Sequence, residues 1–261
     1  MSKVITTAAA VLMSFIAFSQ VSENRTVGHF SKLKASNGIQ VFYTVSNTTS
    51  LRVETDNNEK LQYIKTEVEG ETLKLYVETG SNNYKSSKNR KGRNINGVNF
   101  QILKVYINGK ALNAIKASSS ADIKVENLNA ANEIDLAVSS SGSISGKFDG
   151  DSIAIDASSS GDFEGTITAK NVEVETSSSA DVDLSGKTVK LTVKSSSSSS
   201  CDADKLLAED VTATASSSAD IEVYASKSID AKASSSADIN YYGNPAQVVA
   251  DKSSSGSVTK K

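Results

Sequence analysis

Ile115-Lys116-Ala117-Ser118-Ser119-Ser120-Ala121-Asp122-Ile123 is the stretch that decides the fold. Its serine triplet, followed by a small residue, recurs with starts at Ser118, Ser139, Ser158, Ser177, Ser198, Ser216, Ser234 and Ser253. The intervals are 21, 19, 19, 21, 18, 18 and 19 residues. A fixed period near 20 residues is the mark of a solenoid. One coil cannot bury its own apolar face and has to stack on its neighbours.

Strand alternation then sets the faces. In the first copy Ile115, Ala117, Ser119, Ala121, Ile123 and Val125 share one side, and Lys116, Ser118, Ser120, Asp122 and Lys124 share the other. The second copy repeats this with Ile134, Leu136, Val138, Ser140, Gly142 and Ile144. On this reading the middle serine points inward and joins a buried hydroxyl ladder at the strand spacing of about 4.8 Å. Cys201, the only cysteine, lines up with Ala121 and Gly142 as a small buried residue, and no intramolecular disulfide is available. The expected fold is all-β, a single parallel β-helix with coils of about 19 residues. It is right-handed by the crossover rule, with eight rungs making a rod of about 38 Å. Asp204–Glu209 is the one segment that reads as a helical turn. Lys252 takes an inward place held elsewhere by alanine, which blunts the last rung against end-to-end pairing.

Composition narrows the function classes. The apolar fraction is 38%, below the usual share of roughly 45–50%, yet the apolar pattern is regular throughout, which argues against disorder. Net charge is −2, so no global field favours nucleic acid. Residues 1–19 read as a secretory signal: Lys3 is the basic start, Val4–Phe18 is uncharged and mostly apolar or small, and Ala17-Phe18-Ser19 fits a small-x-small cleavage site. The expected setting is periplasm, cell surface or medium, with no spanning segment after cleavage.

Residues 20–114 have a different rhythm, with strands expected at Gly38–Tyr43, Leu51–Glu54, Leu73–Val77 and Phe100–Ile107. This region starts and caps the solenoid carried by residues 115–261, and Ala35-Ser36-Asn37-Gly38-Ile39 reads as a degenerate, shorter first repeat. The Gly38-Ile39-Gln40 strand, together with Ala-Ser-Ser-Ser-Ala-Asp-Ile at 117–123, 215–221 and 233–239, resembles the DUF2807 family, the head GIN domain of auto-transporter adhesin type common in Bacteroidetes. Gln40 stands where that name has asparagine. The resemblance covers about residues 27–245. It implies a β-helical fold and an envelope or extracellular setting, and brings no catalytic residues.

The outward residue after the small one is aspartate in six of eight copies: Asp122, Asp162, Asp181, Asp202, Asp220 and Asp238. With Ser118, Ser120 and their equivalents these form a candidate polar binding face. Stacked carboxylates suit Ca²⁺, with Asp181 and Asp220 as candidate ligands, although the Gly-Gly-x-Gly-x-Asp nonapeptide of calcium β-rolls is absent. A second candidate is a loop for anionic ligands, carrying Lys85, Lys88, Arg90, Lys91 and Arg93. From Asn94 onward there is no arginine or histidine, and no acid–base pair can be assigned catalytic roles. The expected function is a non-catalytic envelope protein that binds a glycan or surface protein. The alternatives are a structural scaffold and a β-helical polysaccharide-active enzyme.

Overall fold

The computed structural model describes residues 20–79, 92–95 and 97–261, and these form almost nothing but strand. The repeats build a parallel β-solenoid in which each coil has two walls. An entry wall runs into the serine corner and an exit wall leaves it. Strands β10 (Ala114–Ala117) and β11 (Asp122–Ala130) are the entry and exit walls of one coil, followed by β12 (Glu133–Ser139). Beyond these, long strands serve as the exit wall of one coil and the entry wall of the next: β13 (Ser143–Ser158), β14 (Asp162–Thr176), β15 (Asp181–Ser196), β16 (Ser200–Ser216) and β17 (Asp220–Ala233). Strands β18 (Asp238–Tyr242), β19 (Gln247–Lys252) and β20 (Ser257–Lys260) complete the C-terminal end. All neighbouring pairs in this series are parallel.

The corner differs from the expected continuous strand. Ser119 and Ser120 have φ of 51° and 60°, and the same left-handed pair recurs in every serine copy. The amide of Ala121 donates to the carbonyl of Ser118 at 3.1 Å, closing a four-residue turn with both central residues at positive φ, the type I′ pattern. Middle serines such as Ser119, Ser140, Ser159 and Ser217 are therefore exposed, not inward. The backbone, not the hydroxyls, forms the ladder: Ser120 N–H donates to Ser140 O at 3.0 Å, Ser141 N–H to Ser159 O at 3.1 Å and Ser160 N–H to Ser178 O at 3.1 Å. The flanking residues face inward as expected, with Ala117, Ala121, Ile115 and Ile123 fully enclosed. At Gly142 and Gly161 a Cβ would come within 2.7 Å and 2.8 Å of the preceding coil's backbone, so the small residue after the corner is a spacing requirement.

The fifth copy has a different register from the one read off the sequence. Positive φ falls at Ser197 and Ser198, so its corner is Ser196–Ser199, two residues earlier. Ser199 then takes the alanine place and is 1% exposed. Cys201 pairs with Val182 and Ile221, not with the small-residue column, and remains buried. Here buried hydroxyls do meet: Thr176 Oγ1 lies 2.8 Å from both Ser195 Oγ and Ser199 Oγ. Asp204–Glu209 is strand within β16, with Leu206 enclosed and Leu207 exposed, and no helical turn forms there. The described helical content is one 3-10 segment at Asn58–Tyr63.

The interior thins toward the C-terminus. On the entry wall the inward pair runs Leu136/Val138, Ile155/Ala157, Val174/Thr176, Val193/Ser195, Ala213/Ala215, Ala231/Ala233. In the wider part Phe148 and Phe163 fill the core with ring centroids 6.0 Å apart, and Gly146 and Gly165 leave room for the rings.

The N-terminal strands are β1 (Val21–Arg25), β2 (Lys32–Ala35), β3 (Gln40–Val45), β4 (Ser50–Thr55), β5 (Ile64–Glu69), β6 (Thr72–Val77), a small hairpin β7 (Arg93–Ile95) and β8 (Val98–Phe100), and β9 (Leu103–Gly109). Strands β2 and β3 form a full coil around Ser36-Asn37-Gly38-Ile39, whose φ values of 57° and 68° reproduce the serine corner with the residues that prefer it. Gln40 pairs with Asp122 and Val41 with Ile123, so this repeat is not short. One side of that coil meets β10 and β11, and the other meets β6 and β9. Antiparallel β5, β4 and β1 then close this end. Counting from β6/β9 as rung 0, β2/β3 is rung 1 and β10/β11 is rung 2. On the last coil, Lys252 pairs with Ala233 and is exposed.

Serine is a poor occupant of left-handed backbone compared with asparagine and glycine. Replacing Ser159-Ser160 by Asn-Gly, the pair found in rung 1, is expected to stabilise by about 1 kcal/mol and to raise the thermal midpoint by roughly 2–4 °C. Ser159→Val is expected to lower it by at least as much. Circular-dichroism melts of the two variants check both signs.

Candidate functional site

Two columns of side chains stand outward on the exit wall, one residue per rung at about 4.8 Å. The first, directly after the corner, carries Asp122, Ser143, Asp162, Asp181, Ser200, Asp220 and Asp238. Ser200 occupies the place assigned by sequence to Asp202, because the corner of that rung lies two residues earlier. Asp202 falls in the second column, which runs Lys124, Ser145, Glu164, Asp183, Asp202, Glu222 and Asn240. Asp181 and Asp220 share a column but sit two rungs apart with Ser200 between them, so they do not form one ligand set. Ser118 is half-buried and Ser120 exposed on the ridge beside these columns.

The second column lies in a groove of ≈ 670 Å³ that crosses five successive rungs, from Lys124 and Ser145 through Glu164 and Asp183 to Asp202 and Lys205. Its residues other than Asp202 were absent from the sequence-based face, although strict alternation from Asp162 and Asp181 places Glu164 and Asp183 outward. Asp204 had no such signal. It is the extra residue of a bulge, since Ala203 and Asp204 together oppose Leu184 between the pairs Asp183–Asp202 and Ser185–Lys205. The bulge sets Asp204 beside Asp202 and Glu222, with candidate ligand oxygens all within 4.8 Å of one another. Oxygen donors of this kind suit a hard cation such as Ca²⁺. Tyr242 Oη donates to Glu222 at 3.1 Å and Asn240 Nδ2 at 3.4 Å.

Stacking carboxylates raises their proton affinity. Burial, then Asp181, Glu164 and Asp122, push Asp162 above the usual carboxylate range. Burial, then Asp202, Asp162, Glu164 and Asp181, do the same to Asp183. Burial followed by Asp238 and Glu222 raises Asp220. Asp204 rises through burial, the hydrogen bond with Asp202 and that residue's charge. Cys201 is enclosed beneath this wall, where burial first and the charges of Asp202 and Asp183 next push its thiol up to about 12. A thiol so raised is not a nucleophile at neutral pH.

The basic loop falls mostly outside the described residues: Lys85, Lys88, Arg90 and Lys91 do, whereas Arg93 is exposed on β7. Its side chain packs over the rung 1 corner, where a Cβ on Gly38 would come within 2.3 Å of Arg93 Cδ. A second hollow of ≈ 430 Å³ lies at the bend between walls, lined by Val189, Leu207 and Tyr224 among others.

The raised carboxylates give a signed pH dependence. Their folded pKa values exceed the unfolded ones, so the native chain takes up protons first as pH falls. Stability therefore rises from neutral pH down through the raised values, and the gain is complete near the ordinary carboxylate pKa of about 4. Asp56 acts oppositely: burial raises it, but the Lys60 ammonium and the amides of Ile102 and Gln101 hold it below the usual range, so its contribution is lost at still lower pH. Melts should show a midpoint higher at about pH 5 than at pH 7. Asp183→Asn should raise the pH 7 midpoint and shrink that difference.

Comparison with known proteins follows from this architecture. A profile described as "Putative auto-transporter adhesin, head GIN domain" (DUF2807) matches residues 29–245. No curated protein matches the chain. Among solved structures, a "putative lipid binding protein" from Parabacteroides distasonis is 22% identical, covers 93% of this chain and 96% of its own, and superposes with a TM-score of 0.82. A "putative adhesin" from Parabacteroides merdae gives 16% identity, 93% and 96% coverage and a TM-score of 0.81. Another from P. distasonis gives 18%, 94% and 98%, and 0.82. At these identities the likeness carries the fold. The chain belongs to the DUF2807 family.

Proposed function

We propose that this protein is an exported, non-catalytic surface-binding module, and that its ligand is an extended glycan lying along the exit-wall groove. The observation that carries this reading is the groove's form: ≈ 670 Å³ open along five rungs, a run of about 19 Å, lined by Lys124, Ser145, Lys147, Glu164, Thr166 and Asp183. Such a lining offers donors and acceptors at every rung to a polymer that itself presents hydroxyls at regular intervals. It offers no enclosed apolar chamber of the kind that holds a small hydrophobic ligand. The adhesin names on similar structures and on the family agree with a surface role. Export rests on Lys3 and the apolar stretch Val4–Phe18.

Saturable binding of the protein to a subset of glycans on an array, confirmed by calorimetry, is the expected result. Ser145→Tyr, which fills the groove from a half-buried strand position on its lining, should weaken that binding about tenfold or more. Saturable binding to proteins alone, or to no surface polymer at all, would overturn the assignment of a glycan.

A further inference from the structure

The entry wall carries a charge pattern that mirrors the exit-wall column. Reading outward residues along the entry wall from rung 0 to rung 4 gives Lys74, Lys34, Lys116, Ala137 and Asp156, each the direct register partner of the next. Reading the exit-wall column backward from rung 6 to rung 2 gives Asp202, Asp183, Glu164, Ser145 and Lys124. Set against each other, the two series pair lysine with acid three times, then alanine with serine, then aspartate with lysine.

Each series is costly by itself, since like charges on directly opposed strands repel. Lys34 and Lys116 are exposed neighbours, and among the described residues neither has an ion pair. Lys74 pairs with Glu69 at the rim. Glu164, Asp183 and Asp202 likewise have no ion pair among the described residues. Both series belong to the same solenoid, so they have the same pitch of about 4.8 Å and stay in step over all five rungs. The exit-wall series lines the groove, and lysine side chains are long enough to enter it.

We propose that a second copy of this chain docks antiparallel on the first, with the entry-wall column of one seated in the exit-wall groove of the other and rung 0 opposite rung 6. The contact is about 19 Å long and one strand wide, well under the area of a standard interface, so it is weak and salt-sensitive. It occupies the groove assigned above to a glycan, so the two occupants exclude each other. The test below uses protein alone, and its outcome is separate from whether a glycan binds.

Sedimentation velocity of the protein without its export signal, residues 20–261, should show concentration-dependent association at about 0.01 M salt that disappears at about 1 M, where the screening length falls from 30 Å to 3 Å. The variant K34E/K116E and the variant E164K/D183K should each sediment as monomers at low salt, with unchanged circular dichroism. Mixing them, or placing all four changes in one chain, restores complementarity at every rung and should restore association. If the lysine-to-glutamate or acid-to-lysine changes impair folding, K34Q/K116Q and E164Q/D183Q provide the same single-side losses. A wild-type protein that stays monomeric at low salt overturns the proposal, and so does a four-change chain that fails to associate.

Discussion

Everything in this molecule depends on two adjacent residues holding left-handed backbone at each corner. That conformation brings the residues on either side of the serine pair close enough for the Ser118 carbonyl to accept from the Ala121 amide. It also turns the middle amides and carbonyls along the rod axis, where they bond to the next corner. The local strain of two positive-φ serines is offset because every corner is fixed by its neighbours above and below. In the serine copies the stacked corners are followed only by Ala, Gly or Ser, which sets the narrow interior from which the walls diverge, whereas Ile39 fills that place in rung 1.

The fold was legible because the period and the alternation survive the corner. A turn with two central residues returns the chain to the same parity, so Ala117 and Ala121 face inward whether the serines between them are read as strand or as turn. The middle serine was misread for that same reason: alternation predicts its direction from its neighbours, and only the sign of φ reverses it. Six consecutive serines from Ser195 to Ser200 gave no apolar marker, and there the partner strands alone fix the register. Glu164 and Asp183 were within reach of the pattern. Asp204 was not, because a one-residue bulge shifts no hydrophobic position that a sequence scan would notice.

Charge is distributed with less local balance than packing is. Inward columns are shape-matched rung by rung, with large residues giving way to alanine as the coil narrows. The outward columns are mixed: Glu175 meets Lys194 as an ion pair between rungs, but elsewhere aspartate lies on aspartate, as at Asp162–Asp181, and lysine on lysine, as at Lys34–Lys116. A sequence free to alternate signs along a column would relieve that repulsion at little cost, and the serine and threonine positions show that neutral residues are tolerated. Like charges stack at Lys34–Lys116, along Glu164, Asp183 and Asp202, and also at Asp162–Asp181, Asp220–Asp238 and Asp156–Glu175, and the proposed self-association would complete the first two sets from outside.

The first coil in the chain, β2 with β3, lies between strands β6 and β9 on one side and β10 and β11 on the other. Chain order and spatial order therefore part company at this end. A force applied to the N-terminus meets β1 on β4 and then a coil gripped on both sides, so the rod cannot be unwound one turn at a time from its first residues. At the other end the coils leave in sequence order, and there the solenoid can peel. The two termini are therefore mechanically unlike, and the N-terminal one is the harder to unravel.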